Sequence, residues 1–333
     1  FGGPGISSVA MTHMVAAIAG GCGSTASIVT AHYLATDSVL IGGTDEQKNA
    51  YLPRAASGEV IGAFGLTEPG AGSNPAEMST KAVRTDNGWH LKGTKHFITN
   101  AGFADFVVVY AITDPEAGHR GISAFLVDTA KVEGIVVGGH EKTMGLRGSP
   151  VYEISFNCEL PADALLGEEG QGFKTAMKVL DRGRIEVAAM SIGISRKAME
   201  HAVAWSKTRH INGKPIAALQ AIAFKLADIY ARLILWVGAA VQLFQVAGLF
   251  HDRFKHARRL RALARLEQIT EELGEGFDRA QGAFCHPRSL FRPGERFIKA
   301  DAFAVRKCCD KSFATISDTA FGHVENTAKI HVI

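Results

Sequence analysis

The stretch GAFGLTEPGAGSN, Gly62 to Asn74, sets glycines at 62, 65, 70 and 72 around one carboxylate, Glu68, and two hydroxyls, Thr67 and Ser73. A backbone this bare can approach a ligand closely and turn through positive φ. Its exposed N–H groups would suit a pyrophosphate, and the hydroxyls add donors. The segment follows neither the Walker pattern nor G-x-G-x-x-G, and a β-turn between helix and strand with a solvated Glu68 is the plainer alternative. In LDRGR, Asp181 and Arg184 stand at i and i+3, on one face of a helix. As an exposed ion pair they would be worth little. The 13 histidines show neither H-x-x-x-H nor H-E-x-x-H spacing, so no metal site is expected. Met144, Met177 and Met190 occupy apolar positions and read as core.

The elements that must position these residues change character twice along the chain. Residues 6–57 read as helical, and TDEQKNAYLPRAASGE carries start and stop chemistry. Thr44 is the N-cap, Gln47 its capping-box partner, and Pro53 and Gly58 end the element. From Ile61 short β-branched and aromatic runs alternate with turn residues. GWHLKGTKHFIT, FADFVVVYAIT, GISAFLVDT, GIVVGGHEKT and VYEISFNCEL are the candidate strands, and Asn87-Gly88 marks a hairpin. Beyond Pro161, GFKTAMKVLDRGRIEVAAMSIGISRKAMEHAVAWSKTR and PIAALQAIAFKLADIYARLILWVGAAVQLF return to helical spacing. From Phe250 to Lys299 a basic helical run gives way to the loop-like CHPRSLFRPGERF. Helices, then strands, then helices argue for an α+β multidomain chain and against a doubly wound sheet.

Bulk properties narrow the function classes. The 333 residues are 47% hydrophobic and 21% charged, which is a globular composition with length for two or three domains. A net charge of +3 gives no basic excess for nucleic acid. Cys22, Cys158, Cys285, Cys308 and Cys309 show no C-x-x-C pairing and read as reduced thiols. The most apolar run, Leu233 to Phe250, is broken by Gln242, Gln245 and Gly248, so no membrane span is expected. No signal peptide is read at the N-terminus, and a chain opening on Phe1 reads as a fragment.

GLTEPGAGSN followed by GTKHFITNAG resembles the acyl-CoA dehydrogenase family, as do GGPGISSVAM, GTDEQKNAYLPRAASGE, KTMGLRGSPVYEISFNCELPADALLGEEGQGF and TRHINGKPIAALQAIAFKLADI in the same order. The match runs from Phe1 to about Asp228, and ordered motifs are far more specific than one glycine loop. The resemblance implies a partial N-terminal helical domain (1–59), a middle β-barrel-like domain (60–163) and a C-terminal helical bundle (164–333), atypical from 229. It implies FAD, wrapped by Phe64, Leu66, Thr67, Gly72 and Ser73 from the first segment and by Phe97, Ile98 and Thr99 from the second. Thr67 and Thr99 would bond the isoalloxazine edge, and Ser73 would lie near both pyrophosphate and acyl-CoA. Arg209, with a fork suited to phosphate oxygens, matches a residue that meets a neighbouring subunit's FAD, and Gln220 matches another cofactor-facing position. Asp181 and Arg184 match residues facing CoA. A solvated helix-end cation is the plainer reading of Arg209. Asn74 stands where the family usually has Asp, Glu77 where it has a small residue, and Asn212 where it has Phe.

The implied reaction is α,β-dehydrogenation of an acyl-CoA thioester to the trans-2-enoyl-CoA, a glutamate taking the α-proton and the β-hydrogen leaving as hydride to flavin N5. Burial would raise that glutamate toward the working pH. Of the two family positions for it, the one inside LDRGR holds Gly183. The other falls in VENTAKIHVI, giving Glu325 as base and Thr327 as a cofactor contact, with Val324 and Asn326 replacing an aromatic and a glycine. Glu186 is a second candidate. Between Ile229 and about Lys299 the pattern is lost, and the glutamine and paired-glycine motif is reduced to Thr319-Ala320-Phe321-Gly322. A damaged gene, a paralogue without the chemistry and a fragmentary translation each fit. Three readings stay open: a flavoenzyme, a catalytically impaired FAD/acyl-CoA-binding paralogue, and an unrelated helix–β–helix binding protein. The resemblance further implies a homotetramer, an electron-transfer flavoprotein as acceptor, and a bacterial cytoplasmic or mitochondrial matrix location.

Overall fold

The computed structural model describes residues 8–234 together with Phe1 and Gly5. Three helices come first: α1 (Ser8–Gly21), α2 (Gly23–Gly42) and α3 (Asp45–Ala56). Thr44 Oγ1 accepts from the Gln47 N–H at 3.3 Å while Gln47 Oε1 accepts from the Thr44 N–H at 3.0 Å, so the capping box is complete. Pro53 does not end α3 as expected. It lies inside the helix on its exposed side, and the chain leaves through Ser57 and Gly58. Pro53 sits in the last turn, where only one helix bond is lost, and its neighbours Leu52 and Ala55 are buried in the core.

Seven strands form one mixed sheet: β1 (Gly62–Gly65), β2 (Lys81–Thr85), β3 (Gly88–Thr99), β4 (Phe106–Ile112), β5 (Ile122–Asp128), β6 (Ile135–His140) and β7 (Val151–Pro161). Their order is β1-β4-β2-β3-β7-β6, with β5 also paired to β4. All five expected strands are present. The additional β1 has two glycines in four residues and β2 is short and mostly exposed, so neither carries a period-2 signal. The hairpin sits one residue earlier than expected, because Thr85 pairs with Gly88 and the corner is Asp86-Asn87. Gly88 serves the approach of β7: at φ 154° it faces the Leu160 carbonyl, and a Cβ there would lie 2.0 Å from that oxygen.

β4 is buried on both faces, which is why FVVVYAI reads as an unbroken apolar run. Val107, Val109 and Ala111 join Trp89, Leu91 and Phe125 in one core. Phe106, Val108 and Tyr110 face a second core with Val39 of α2 and Leu52 of α3. The buried Tyr110 hydroxyl is satisfied by Ser38 Oγ at 2.9 Å. The long α4 (Gly172–Thr208) begins against this second core through Ala176 and Phe173, then packs on α1 and α2, where Val15, Ala19, Ala26, Ala189 and Met190 form a third cluster. After α4 come a small hairpin, β8 (His210–Ile211) and β9 (Lys214–Pro215), and helical residues 220–234. Among the described residues no helix is long and apolar enough to cross a membrane, and no cluster of three or more metal-ligating side chains occurs.

Candidate functional site: the glycine loop and the bulge of β3

The glycine loop leaves β1 at Gly65 and is fastened to β3 by three links. The His96 N–H donates to the Thr67 carbonyl at 2.9 Å. Lys95 Nζ donates to the Leu66 carbonyl at 3.1 Å and to Glu68 Oε1 at 2.8 Å. Glu68 is therefore not the solvated residue of the plainer alternative. It is buried, and it also accepts from the Thr80 N–H at 3.0 Å and from both the N–H and hydroxyl of Ser79, at 2.6 and 2.7 Å. Burial pushes the Glu68 carboxyl up, but the Lys95 charge and these donors outweigh it and hold the group at about 2. The turn itself is real: Glu68 and Ala71 exchange backbone hydrogen bonds at 3.0 and 3.2 Å around Pro69-Gly70.

These links place the two expected flavin segments side by side. Thr67 and Thr99 are half-buried, and Gly72 and Ser73 are exposed. Open space lies in front of both Gly70 and Gly72. Phe97 projects from the break in the β3–β7 pairing between Lys95 and Ile98, with φ 57° and 62% of its surface exposed. A large aromatic held outward in the left-handed region is a strained feature of the kind that collects at binding sites. Leu66 and Ile98 are buried in the two cores and Phe64 packs on Tyr110 with ring centroids 5.2 Å apart, so these side chains build the wall behind the loop. Asn100, at φ 72°, closes the region by donating to the Ile28 carbonyl of α2 at 3.1 Å.

Asn74 and Glu77, two of the positions that depart from the expected pattern, pair with each other: Asn74 Nδ2 donates to Glu77 Oε1 at 2.8 Å. An aspartate at 74 would face that carboxylate with like charge, so the departures compensate as a pair.

The remaining expected residues lie elsewhere. Arg184 pairs with Asp181 at 3.0 Å on the exposed side of α4. Arg209 caps the end of α4 and Gln220 begins the next helical stretch, both exposed. Between them, Asn212-Gly213 forms the two-residue turn of the β8–β9 hairpin, with φ of 50° and 76°. That turn explains an Asn in place of Phe, and the Asn-Gly dipeptide was the signal that could have found it. Glu325 and Thr327 lie outside the described residues.

A buried acidic group lies along the seam between α2 and α4. Arg182, between Asp181 and Gly183, turns inward to Asp37 of α2 at 3.2 Å. Glu186, one turn further, is 7% exposed, and its Oε2 has no hydrogen-bond partner among the described residues. Burial, reinforced by the Asp37 charge and only partly opposed by Arg182, pushes its carboxyl up to about 7. Gly183 faces the same seam, where a Cβ would lie 2.7 Å from Leu34 Cδ2.

Comparison with known proteins accounts for most of the chain. Residues 1–59, 63–158 and 170–270 match the acyl-CoA dehydrogenase N-terminal, middle and C-terminal domains respectively. Over 257 residues the chain is 42% identical to an acyl-CoA dehydrogenase of Bacillus subtilis, covering 76% of this chain and 66% of that one. The solved butyryl-CoA dehydrogenase of Megasphaera elsdenii is 35% identical with a TM-score of 0.70, covering 82% of this chain and 73% of that one. A glutaryl-CoA dehydrogenase of Mycobacterium smegmatis, solved in complex with FADH2, is 32% identical with a TM-score of 0.67, covering 74% and 61%. The two solved structures share the fold of this chain over most of its described length. The chain belongs to the acyl-CoA dehydrogenase family. It spans 66% of the length of its Bacillus subtilis relative.

Proposed function

We propose that the chain is an FAD-dependent oxidoreductase that converts an acyl-CoA thioester to the trans-2-enoyl-CoA. The observation that carries this is Phe97, held outward at φ 57° beside the open glycine loop, in a chain of this family. The residues fit the cofactor: Thr67, Gly72, Ser73, Phe97 and Thr99, all at least partly exposed, offer hydroxyls, bare backbone and a flat ring. Phe64, Leu66 and Ile98 brace them from the core. Arg209 of a second copy, with Gln220 and Thr327, completes the proposed cofactor contacts. The FAD these residues would hold would supply the acceptor for the β-hydrogen as hydride. The protein's own part is to take the α-proton with Glu325, to seat CoA along Ser73, Asp181 and Arg184, and to offer hydrogen-bond donors to the thioester oxygen as it gains charge. The proposal includes the domain division 1–59, 60–163 and 164–333, a homotetramer, and an electron-transfer flavoprotein as acceptor.

Glu186 supports a second assignment of the base, since its carboxyl is buried, is pushed up to about 7 and has an oxygen without a partner among the described residues. The altered stretch around Glu325 supports the impaired, FAD/acyl-CoA-binding alternative. One preparation separates these readings. The purified chain should be yellow and should bleach anaerobically with butyryl-CoA or octanoyl-CoA. Glu325→Gln should keep the colour and lose the bleaching. If Glu186→Gln loses it instead, Glu186 is the base. A yellow protein that no acyl-CoA reduces is the binding module, and a folded, colourless protein that refuses FAD sinks the flavin reading.

A further inference from the structure

One turn of α2 is fastened to both expected flavin segments. Ile28 and His32 stand at i and i+4, on one face of the helix. The Ile28 carbonyl accepts from Asn100 Nδ2 at 3.1 Å, directly after Thr99 at the end of β3. The N–H of Gly62, the first residue of β1, donates to His32 Nδ1 at 3.0 Å. A backbone N–H can only donate, so Nδ1 must present its lone pair and the ring proton sits on Nε2. Glycine is required for this approach: a Cβ at 62 would lie 2.5 Å from Phe106 Cζ and 2.7 Å from Ala35 Cβ. The preceding residue is pinned too, since the Ile61 N–H donates to Asp105 Oδ2 at 2.7 Å. Beyond Gly62, β1 runs along β4 and delivers Leu66 and Thr67, which β3 holds through Lys95 and His96.

We infer that His32 is a positioning residue: as a neutral imidazole it struts the first residue of β1 against α2, and protonating it releases β1 and loosens the glycine loop into which β1 leads. The loop's ligand rests on the flavin reading; the strut itself does not. An imidazolium carries N–H groups at both nitrogens, so protonation sets a donor at Nδ1 against the Gly62 donor. Burial holds the His32 ring below its ordinary 6.5, and the Ala55 carbonyl of α3 opposes this only in part. The folded chain therefore resists a proton that the unfolded chain takes up. The strut's contribution to stability is complete above about pH 6.5 and is lost as pH falls from there toward the folded-state value. On the elements that meet at this ring, the titratable side chains beside its partners are Tyr33 of α2, Tyr51 and Arg54 of α3, and Asp105. Arg54 pairs with Glu59 at 2.6 Å, and among the described residues no hydrogen bond or ion pair links any of these side chains to the imidazole.

His32→Asn separates the acceptor from the titration, because an Asn Oδ1 takes the place of Nδ1 and gains no proton. Hydrogen exchange read by mass spectrometry on peptides covering residues 61–67, without cofactor, compares the two proteins at equal pH, so the intrinsic pH dependence cancels. They should match at about pH 7.5, and the parent should exchange several-fold faster at about pH 5. His32→Leu, with no acceptor, should exchange fast at both. Titrated with FAD, the parent should lose several-fold in affinity between about pH 7.5 and 5, and His32→Asn should lose less. Equal exchange of the parent and His32→Asn under acid conditions overturns the strut, whether or not FAD binds. Faster exchange of the parent with the same FAD affinities as His32→Asn overturns its hold on the glycine loop. Faster exchange in a protein that refuses FAD keeps the strut and overturns the flavin reading.

Discussion

Two glutamates are buried to nearly the same degree and meet opposite fates. Glu68 is 4% exposed and Glu186 is 7% exposed. Around Glu68 the chain gathers an ammonium, a hydroxyl and two backbone N–H groups, and the carboxyl is held at about 2. At the α2–α4 seam Arg182, the cation near Glu186 among the described residues, pairs with Asp37 instead, and Glu186 is pushed up to about 7. Burial raises both; the partners decide the outcome. The first arrangement clamps a loop in place, while the second leaves a group whose charge changes near neutral pH.

Lys95→Met should break the comparison most severely. It strands Glu68 as an uncompensated buried charge, which costs on the order of 3–5 kcal/mol. Urea unfolding of the single variant, and of the double variant with Glu68→Gln, measures this; a single-variant loss below about 1 kcal/mol would mean the pair does not hold the loop.

The next effect is smaller and opposite in sign. Glu186, whose folded-state value of about 7 lies above the ordinary 4.5, keeps a proton that the unfolded chain releases. Stability should therefore fall as pH rises from about 4.5 through 7. Glu186→Gln should gain on the order of 2–3 kcal/mol at about pH 8 and little at pH 4. Glu68, at about 2, contributes stability above about pH 4.5 that is lost as pH falls toward 2. Melting curves across pH should show both slopes, and a Glu186→Gln profile parallel to the parent's would remove the contrast.

Asn74→Asp is the exposed control. It sets a carboxylate against Glu77 in water, where the melting temperature should move by only about 1 °C. A loss comparable to that of Lys95→Met would show that position 74 is coupled to the buried pair.

Much of this was legible from local pattern. Thr44 and Gln47 specify their capping box through three residues of sequence, and FVVVYAI announces a doubly buried strand through composition alone. The glycine loop and KHFIT could be matched as motifs because each is continuous. The strand in GAFG was hidden, since its four residues become a strand only when α2 and β4 enclose them. Pro53 looked like a stop because local sequence cannot show that Leu52 and Ala55 anchor the last turn.

The sequence by itself determined which residues could make helices, strands and a bare-backbone loop, because propensity, capping and periodicity act within a few residues. Only the tertiary structure decided that Glu68 is neutralised by Lys95, 27 residues away, that Arg182 pairs with Asp37 beside Glu186, and that His96 meets Glu153 of β7. The electrostatic fate of a buried charge depends on groups brought within a few ångströms by folding, and sequence spacing does not encode that distance.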